Sequence, residues 1–298
     1  FGMTTNINFA SDAHSNAQLV NAFIALQLIG QFGLFVIVLT AVASPNIKRN
    51  PTWYTFCVGW ILSCVSYTFV FLIGQQDSPT FGACVTQAAG IYAAPVLTSL
   101  TTLSFAMDML LDVRAASAHS PLKRSRTITI ALLVIPFFVW IVMFVGFLVF
   151  GVKNPSLVGK GPNGTYCDLN TFIPSKITGL ISVLATIVIL LIQGYIGVRL
   201  FKNRHLLQDR RLAAMAIRIM IFSLLGALAL GIGFAYVLFS AQGPEFDIIT
   251  ALLPIGSVII FGTHFDLFDV WLFWRQPRSS SSQTRYPKSA SIKSIPTP

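Results

Sequence analysis

The chain has 298 residues, of which 54% are hydrophobic and only 10% charged, with a mean hydropathy of +0.73. Soluble domains carry about a quarter charged residues, so this composition excludes an ordinary soluble domain and indicates a membrane protein. A net charge of +10 would suit nucleic acid in a soluble chain. Here topology and attraction to anionic lipid explain it, so we expect membrane lipid as a partner and no nucleic acid.

Seven apolar segments are long enough to cross a bilayer, since a spanning helix needs about 20 apolar residues. In chain order they cover residues 18–42, 52–74, 83–111, 127–150, 174–200, 212–240 and 248–274. They are too long, and too uniformly apolar, for transmembrane strands of about 10 residues. The predicted fold is an all-α membrane protein, a seven-transmembrane-helix bundle over residues 18–275 that follows an N-terminal segment at 1–17.

Lys and Arg residues fall unevenly on the two sides of this bundle. Alternate loops and the C-terminal tail place 17 of the 20 on one side, and only Lys153, Lys160 and Lys176 on the other. Basic loops stay in the cytosol. We therefore expect the amino terminus and segment 1–17 outside, the carboxyl terminus cytosolic, and a multi-pass protein of the plasma membrane.

The tail at residues 276–298 is rich in Ser, Pro and basic residues, a composition typical of disorder. Four consecutive serines in it are phosphorylation candidates: Ser279, Ser280, Ser281 and Ser282. Phosphorylation would add about −1.5 to −2 charges at each serine, which could release the tail from anionic lipid or recruit a desensitising partner. An unmodified, solvated tail is the alternative.

The stretch GPNGTYCDLN at residues 161–170 lies in the second outer loop of this topology. Asn163 begins an Asn-X-Thr sequon and is a candidate for N-glycosylation. Cys167 in this loop and Cys84 at the outer start of the third helix are the two cysteines on the oxidising side, where disulfides persist. We predict a Cys84–Cys167 disulfide.

Seven helices, an outer amino terminus and a helix-three cysteine bonded to the second outer loop resemble a G-protein-coupled receptor over residues 18–275. The stretches RNPTWYTFCVGWILSCVSY at 49–67 and FGACVTQAAGIYAAPVL at 81–97 further resemble orphan receptors of mushroom-forming (basidiomycete) fungi. The resemblance implies a cell-surface receptor that senses an unknown extracellular ligand and signals through a heterotrimeric G protein, without catalysis.

The chain departs from the motifs of rhodopsin-like receptors. Asp108 stands where their Asp-Arg-Tyr triplet begins, but Met109 and Leu110 follow it, and the motifs of helices six and seven are missing. Rhodopsin-like activation is therefore not implied.

Ionisable residues gather toward the inner ends of the predicted helices. They are Asp108, Asp112, His264, Asp266 and Asp269, together with Arg114 and Arg218. Charges within membrane segments are costly and are usually functional, so we interpret these residues as a cytosolic switch, an ionic latch whose rearrangement opens a cleft. Ordinary anchoring at the membrane interface is the alternative.

The outer half of the bundle carries scattered polar residues that could orient a ligand in an apolar pocket. The pocket candidates are Gln27, Gln31, Gln87, Tyr92, Lys176, Tyr236 and Glu245. Interhelical hydrogen bonding is the alternative role for each of them.

Other functional classes fit the sequence less well. The four histidines are scattered, which argues against a metal site or a metalloenzyme, and segment 248–274 has no lysine for a retinal Schiff base. We expect no cofactor. A small-solute transporter or channel is the alternative function, although helices 1–3 and 5–7 show no repeat of the kind that such transporters contain.

Overall fold

The computed structural model describes residues 5–45, 47, 49–117, 125–161, 164–202, 210–238, 245–263, 267 and 270–271. Helices dominate this part of the chain: α1 (Thr5–Ala43), α2 (Pro51–Leu72), α3 (Phe81–Ser117), α4 (Arg126–Lys153), α5 (Phe172–Lys202), α6 (Arg210–Leu238) and α7 (Glu245–Gly262). Between α4 and α5, a 3₁₀ turn at Pro155–Leu157 precedes two short strands, β1 (Val158–Lys160) and β2 (Cys167–Leu169).

Within the described residues, six helices are long and apolar enough to cross a membrane. The apolar helix α7 is shorter, at 18 residues, or about 27 Å at 1.5 Å per residue. Beyond it, Leu267, Val270 and Trp271 are again helical. The prediction of a helical membrane bundle is confirmed.

Two helices, α1 and α3, extend well beyond the apolar segments predicted for them. Helix α1 begins at Thr5 instead of residue 18, because the polar stretch before the apolar segment contains no proline or glycine that would end a helix. Helix α3 continues past residue 111 to Ser117 through residues that are compatible with helix. Hydropathy marks where the membrane segment ends, which is not where the helix ends.

Helix α3 forms the centre of the bundle, and α4 lies at its edge. In its most apolar stretch 67% of the residues of α3 are buried, against 11% in α4. Helix α3 contacts α2, α4, α5 and both strands, while α1 packs between α2 and α7. Apolar side chains exposed on α4, such as Phe138 and Val142, suit a surface that faces lipid.

A cluster of aromatic rings joins four helices in the bundle interior. Phe56 of α2 lies 5.6 Å from Phe105 of α3, 5.3 Å from Phe222 of α6 and 4.9 Å from Phe261 of α7, measured between ring centroids. These are the distances of favourable aromatic pairs, so the cluster fixes α2, α3, α6 and α7 relative to one another.

Two short strands lie between α4 and α5 of the otherwise helical bundle. They form an antiparallel hairpin in which Val158 pairs with Leu169 and Lys160 with Cys167. Gly164, between the strands, has a φ of 67°, a left-handed conformation that favours glycine. We call β1, β2 and the described residues between them the hairpin.

Candidate functional site

The hairpin is bonded covalently to α3. A disulfide joins Cys84 to Cys167, as predicted from the sequence. Next to it, the backbone N–H of Cys167 donates to Gln87 Oε1 at 2.9 Å, and Gln87 Nε2 donates to the carbonyl of Tyr67 at 2.8 Å. Gln87 therefore ties the hairpin to α2 as well as to α3.

A second attachment to α3 lies one turn further along the helix. The Tyr92 hydroxyl donates to Asp168 Oδ1 and to the Leu169 carbonyl. Burial raises the pKa of Asp168 above its ordinary value, and the bonds from Tyr92 and from the Leu169 N–H counteract part of that rise. Asp168 therefore holds a proton more readily than an exposed aspartate.

The hairpin also contacts α7, through one carboxylate. Asp247 is buried and accepts a hydrogen bond from the Thr165 hydroxyl at 3.0 Å and another from the Tyr166 hydroxyl at 2.8 Å. Burial, together with the nearby Asp247 carboxylate, raises the pKa of Tyr166 well above its ordinary value. Tyr166 therefore stays a neutral donor to Asp247.

Three aromatic rings contact one another where the hairpin meets α1 and α2. Tyr166 lies 5.8 Å from Phe23 of α1 and 5.7 Å from Tyr67 of α2, and Phe23 and Tyr67 are 5.9 Å apart. The three rings contact one another in pairs, so the hairpin is packed on α1 and α2 in addition to its bonds with α3 and α7.

The loop between α2 and α3 holds the outer edge of the hairpin. Gln76 Nε2 donates to the Thr165 carbonyl at 3.2 Å, and Lys160 Nζ donates to the Asp77 carbonyl at 3.1 Å. The hairpin thus contacts several elements at this end of the bundle, which we call the hairpin end.

The predicted pocket residues take different places at this end. Gln87 and Tyr92 hold the hairpin, and Lys176 is exposed near the start of α5. Gln27 is buried one turn from Phe23 on α1, and Gln31 is half-buried one turn further.

The side-chain oxygens of both Gln27 and Gln31 are buried and have no hydrogen-bond partner in the part of the chain that the structure describes. The predicted glycosylation site Asn163 and the side chains of Tyr236 and Glu245 lie outside the described residues.

At the opposite end of α3, the predicted switch residues Asp108 and Asp112 share one donor. Asn50 Nδ2 donates to Asp108 Oδ2 at 3.0 Å and to Asp112 Oδ2 at 2.8 Å, and the Thr52 hydroxyl donates to Asp108 Oδ2 at 2.6 Å. Asp108 and Thr52 are both fully buried. Asn50 precedes α2, so these bonds join the start of α2 to α3, and we call this the Asn50 end.

The predicted arginines Arg114 and Arg218 occupy separate positions. Arg218 of α6 donates to the carbonyls of Ile260 and Thr263, both at 2.9 Å, where α7 ends. Arg114 lies over the ring of Tyr195 in α5. The remaining switch candidates, His264, Asp266 and Asp269, and the candidate phosphorylation sites Ser279, Ser280, Ser281 and Ser282 lie outside the described residues.

Sequence reasoning missed several residues that build the two ends. They are Asn50, Thr52, Tyr67, Tyr166, Asp168 and Asp247. Two local signals were available: Asn50 precedes a proline at a helix start, and Asn163-Gly164 is a common hairpin turn. Neither signal reveals which distant residue is the partner.

Comparison of the chain with known proteins gives no family. No protein-family model matches the sequence, and no curated protein matches it significantly. Among the described residues, no group of three or more His, Cys, Asp or Glu side chains could hold a metal ion.

Proposed function

We propose that this protein is a cell-surface receptor of the G-protein-coupled type, which senses an extracellular ligand at the hairpin end and signals to a heterotrimeric G protein at the Asn50 end. The observation that carries the proposal is the hairpin, bonded through Cys84–Cys167 to the central helix. The excess of basic residues in the opposite loops supports a hairpin that faces outward and a location in the plasma membrane. The resemblance to orphan receptors of mushroom-forming fungi points to the same function.

Helix α3 is suited to carry a signal between the two ends. Cys84 and Asp108 are both on α3, separated by about 36 Å along the helix axis at 1.5 Å per residue. That length exceeds the hydrocarbon core of a bilayer, which is about 30 Å thick. A rotation or shift of α3 at the hairpin would therefore reach the Asp108 carboxylate at the other membrane surface.

A ligand at the hairpin end would find hydrogen-bond acceptors in an apolar setting. The buried oxygens of Gln27 and Gln31 have no donor within the described residues, and a buried acceptor without a partner costs about 1–3 kcal/mol. Both residues lie on α1, about one and two helical turns after Phe23. A small, largely apolar ligand with a hydroxyl or amine donor would match these groups.

The Asn50 end provides the contact that a signal would change. Asp108 is buried and depends on Asn50 and Thr52 for its hydrogen bonds to α2. A shift of α3 would move Asp108 away from Asn50 and Thr52. The three polar side chains would then have to find other hydrogen-bond partners. In this proposal the switch expected from the sequence involves hydrogen bonds between Asp108 and the start of α2.

The proposal is tested by a ligand screen in cells that carry the chain and a G-protein reporter. We expect at least one extracellular compound to raise the reporter signal, with the response lost in Gln27→Ala and retained in Gln18→Ala, an exposed glutamine of the same helix. No response to any compound in cells that display the chain at the surface, with several G-protein subtypes tested, would contradict it.

A further inference from the structure

Two arginines from different helices meet on one tyrosine near the Asn50 end. The guanidinium carbon of Arg114, in the last turn of α3, lies 5.3 Å from the ring centroid of Tyr195. That of Arg199, in the last turn of α5, lies 5.1 Å from the same centroid. Arg199 Nε also donates to the Tyr195 hydroxyl at 2.8 Å. We call these three residues the Arg-Tyr-Arg cluster.

The cluster holds two positive charges close together, and among the described residues no carboxylate pairs with either of them. Within the described part of the chain, the contacts of Arg114 and Arg199 are with Tyr195. Asp112 is two residues from Arg114 on α3, so the two side chains do not face each other. The tyrosine ring offsets part of the repulsion by its attraction for cations.

The two arginines of the cluster are accessible to a ligand. Both arginine side chains are exposed, and a guanidinium has five N–H donors in a planar fork. Arg199 uses its Nε–H in the bond to the Tyr195 hydroxyl. Two such forks around one ring match the oxygens of a phosphate, which guanidinium binds in bidentate fashion.

The cluster also lies at the depth of lipid headgroups. Arg114 and Arg199 are in the last turns of α3 and α5, two helices that are long and apolar enough to cross the membrane. Arginine near a helix C-terminus is also favoured by the helix dipole. That effect accounts for each arginine alone but not for the convergence of two on one ring.

We propose that the Arg-Tyr-Arg cluster is a binding site for the phosphate monoester headgroup of an anionic membrane phospholipid. In this proposal Arg114 binds lipid and is not part of the ionic latch expected from the sequence. It does not depend on the proposed signalling role, because lipid would bind there in a receptor and in a transporter alike.

The test measures lipid binding to the purified full chain in nonionic detergent. The probe is dioctanoyl phosphatidylinositol 4,5-bisphosphate, with dioctanoyl phosphatidylcholine as the neutral lipid and inositol 1,4,5-trisphosphate as the free headgroup. We expect Arg114→Gln/Arg199→Gln to weaken binding of the anionic lipid about 10- to 30-fold, from roughly 1 kcal/mol for each basic residue.

Two further variants separate a built site from general attraction. Arg126→Gln/Lys202→Gln removes two exposed charges from the same end of the bundle and is expected to change binding less than threefold. Tyr195→Ala keeps both arginines but removes the ring that holds them, so we expect a loss of about 5- to 30-fold, from a cation–π attraction of roughly 0.5–1 kcal/mol for each arginine. Size-exclusion profiles identify any variant that fails to fold, and Tyr195→Phe, which keeps the ring, then replaces Tyr195→Ala with an expected loss below threefold.

Three results would overturn the proposal. Equal losses in the two double variants would show diffuse attraction. Full binding by Tyr195→Ala would show that the ring does not organise the arginines. Free inositol trisphosphate binding as tightly as the lipid would show that a soluble phosphate, and not a membrane lipid, is the ligand.

Discussion

The two ends of α3 are held in different ways. At the hairpin end a disulfide fixes α3 to the hairpin, and Gln87 and Tyr92 add hydrogen bonds to the same strand. At the Asn50 end, Asn50 and Thr52 donate hydrogen bonds to Asp108 of α3. A covalent bond does not rearrange within the lifetime of a signal, whereas hydrogen bonds exchange readily. Helix α3 and the hairpin are therefore expected to move together, while the hydrogen bonds at the Asn50 end can rearrange.

The hairpin end itself contains a similar contrast. Its link to α3 includes a covalent bond, while Asp247 of α7 accepts hydrogen bonds from its Thr165 and Tyr166 hydroxyls. A ligand that competes for Asp247 would break these two hydrogen bonds and leave the disulfide to α3 in place. Helix α7 is also packed on α1, where a Cβ at Gly33 would come within 2.7 Å of Val258. A movement of α7 would therefore displace the part of α1 that packs against it.

The largest expected effect is loss of the disulfide. Cys84→Ser/Cys167→Ser should lower the free energy of unfolding by about 4 kcal/mol, because the bond closes a loop with a sequence separation of 83 residues and so restricts the unfolded chain. Thermal unfolding of the purified protein in detergent measures the change. The matched variant Cys57→Ala/Cys64→Ala, at two free buried cysteines of α2, should cost about half as much or less. Equal losses would mean that the Cys84–Cys167 bond adds nothing specific.

The next effect concerns the Asn50 end. Asn50→Ala removes the donor shared by Asp108 and Asp112 and should destabilise the protein by about 2–3 kcal/mol, since both carboxylates lose a partner. If the receptor proposal holds, basal nucleotide exchange on the G protein should rise in this variant.

A cycle of Asn50→Ala and Asp108→Asn tests the contact directly. Because the two residues are in contact, we expect a coupling of about 0.5–3 kcal/mol in the free energy of unfolding. Gln18→Ala, at an exposed position of α1, is the control and should couple negligibly with Asp108. Strictly additive effects for Asn50 and Asp108 would rule out the contact as an adjustable joint.

A smaller effect is expected at the link between the hairpin and α7. Tyr166→Phe removes the hydroxyl that donates to Asp247 at 2.8 Å and should cost about 1.5–3 kcal/mol, the range for bonds to charged groups. Tyr54→Phe removes a hydroxyl whose bond to the Ala41 carbonyl is long, at 3.5 Å, so it should cost under about 0.5 kcal/mol. Equivalent unfolding temperatures for the two variants would contradict the role given to Asp247.

The smallest effect is a pH dependence from Asp168. Burial raises its pKa in the folded protein above the ordinary value of 3.8, so the folded state binds the proton more tightly than the unfolded chain. The contribution of Asp168 to stability is therefore fully present below pH 3.8 and is lost as the pH rises through the raised pKa. Unfolding followed from pH 4 to about pH 7 should show this slope in the parent protein and a flatter one in Asp168→Asn. An unchanged slope would mean that Asp168 is not the titrating group.

Composition and cysteine placement made the coarse fold predictable. Long apolar segments with few charges allow few structures in lipid, because each backbone polar group must be paired within the segment. Cys84 and Cys167 were predictable as a pair because the other two cysteines lie within the second apolar segment. Apolar segments and cysteine positions can both be read directly from one sequence without knowing which distant residues pack together.

The contacts that build the two ends were not predictable in this way. Asn50 is 58 residues from Asp108, and Tyr166 is 81 residues from Asp247. A polar residue shows locally that it needs a partner when buried, but not which one the packing of the helices will supply. The start of α1 at Thr5 was not predicted for a different reason. The residues before the apolar segment are polar, and hydropathy does not detect a helix made of polar residues.

Reconstitution of the purified chain in liposomes, with a heterotrimeric G protein at the Asn50 end and a compound from the cell screen at the hairpin end, tests the central claim most directly. Nucleotide exchange on the G protein and uptake of the compound are measured in the same vesicles. The receptor proposal predicts exchange that depends on the compound, without its accumulation inside. Uptake without any exchange would contradict that proposal and would favour a small-solute transporter or channel.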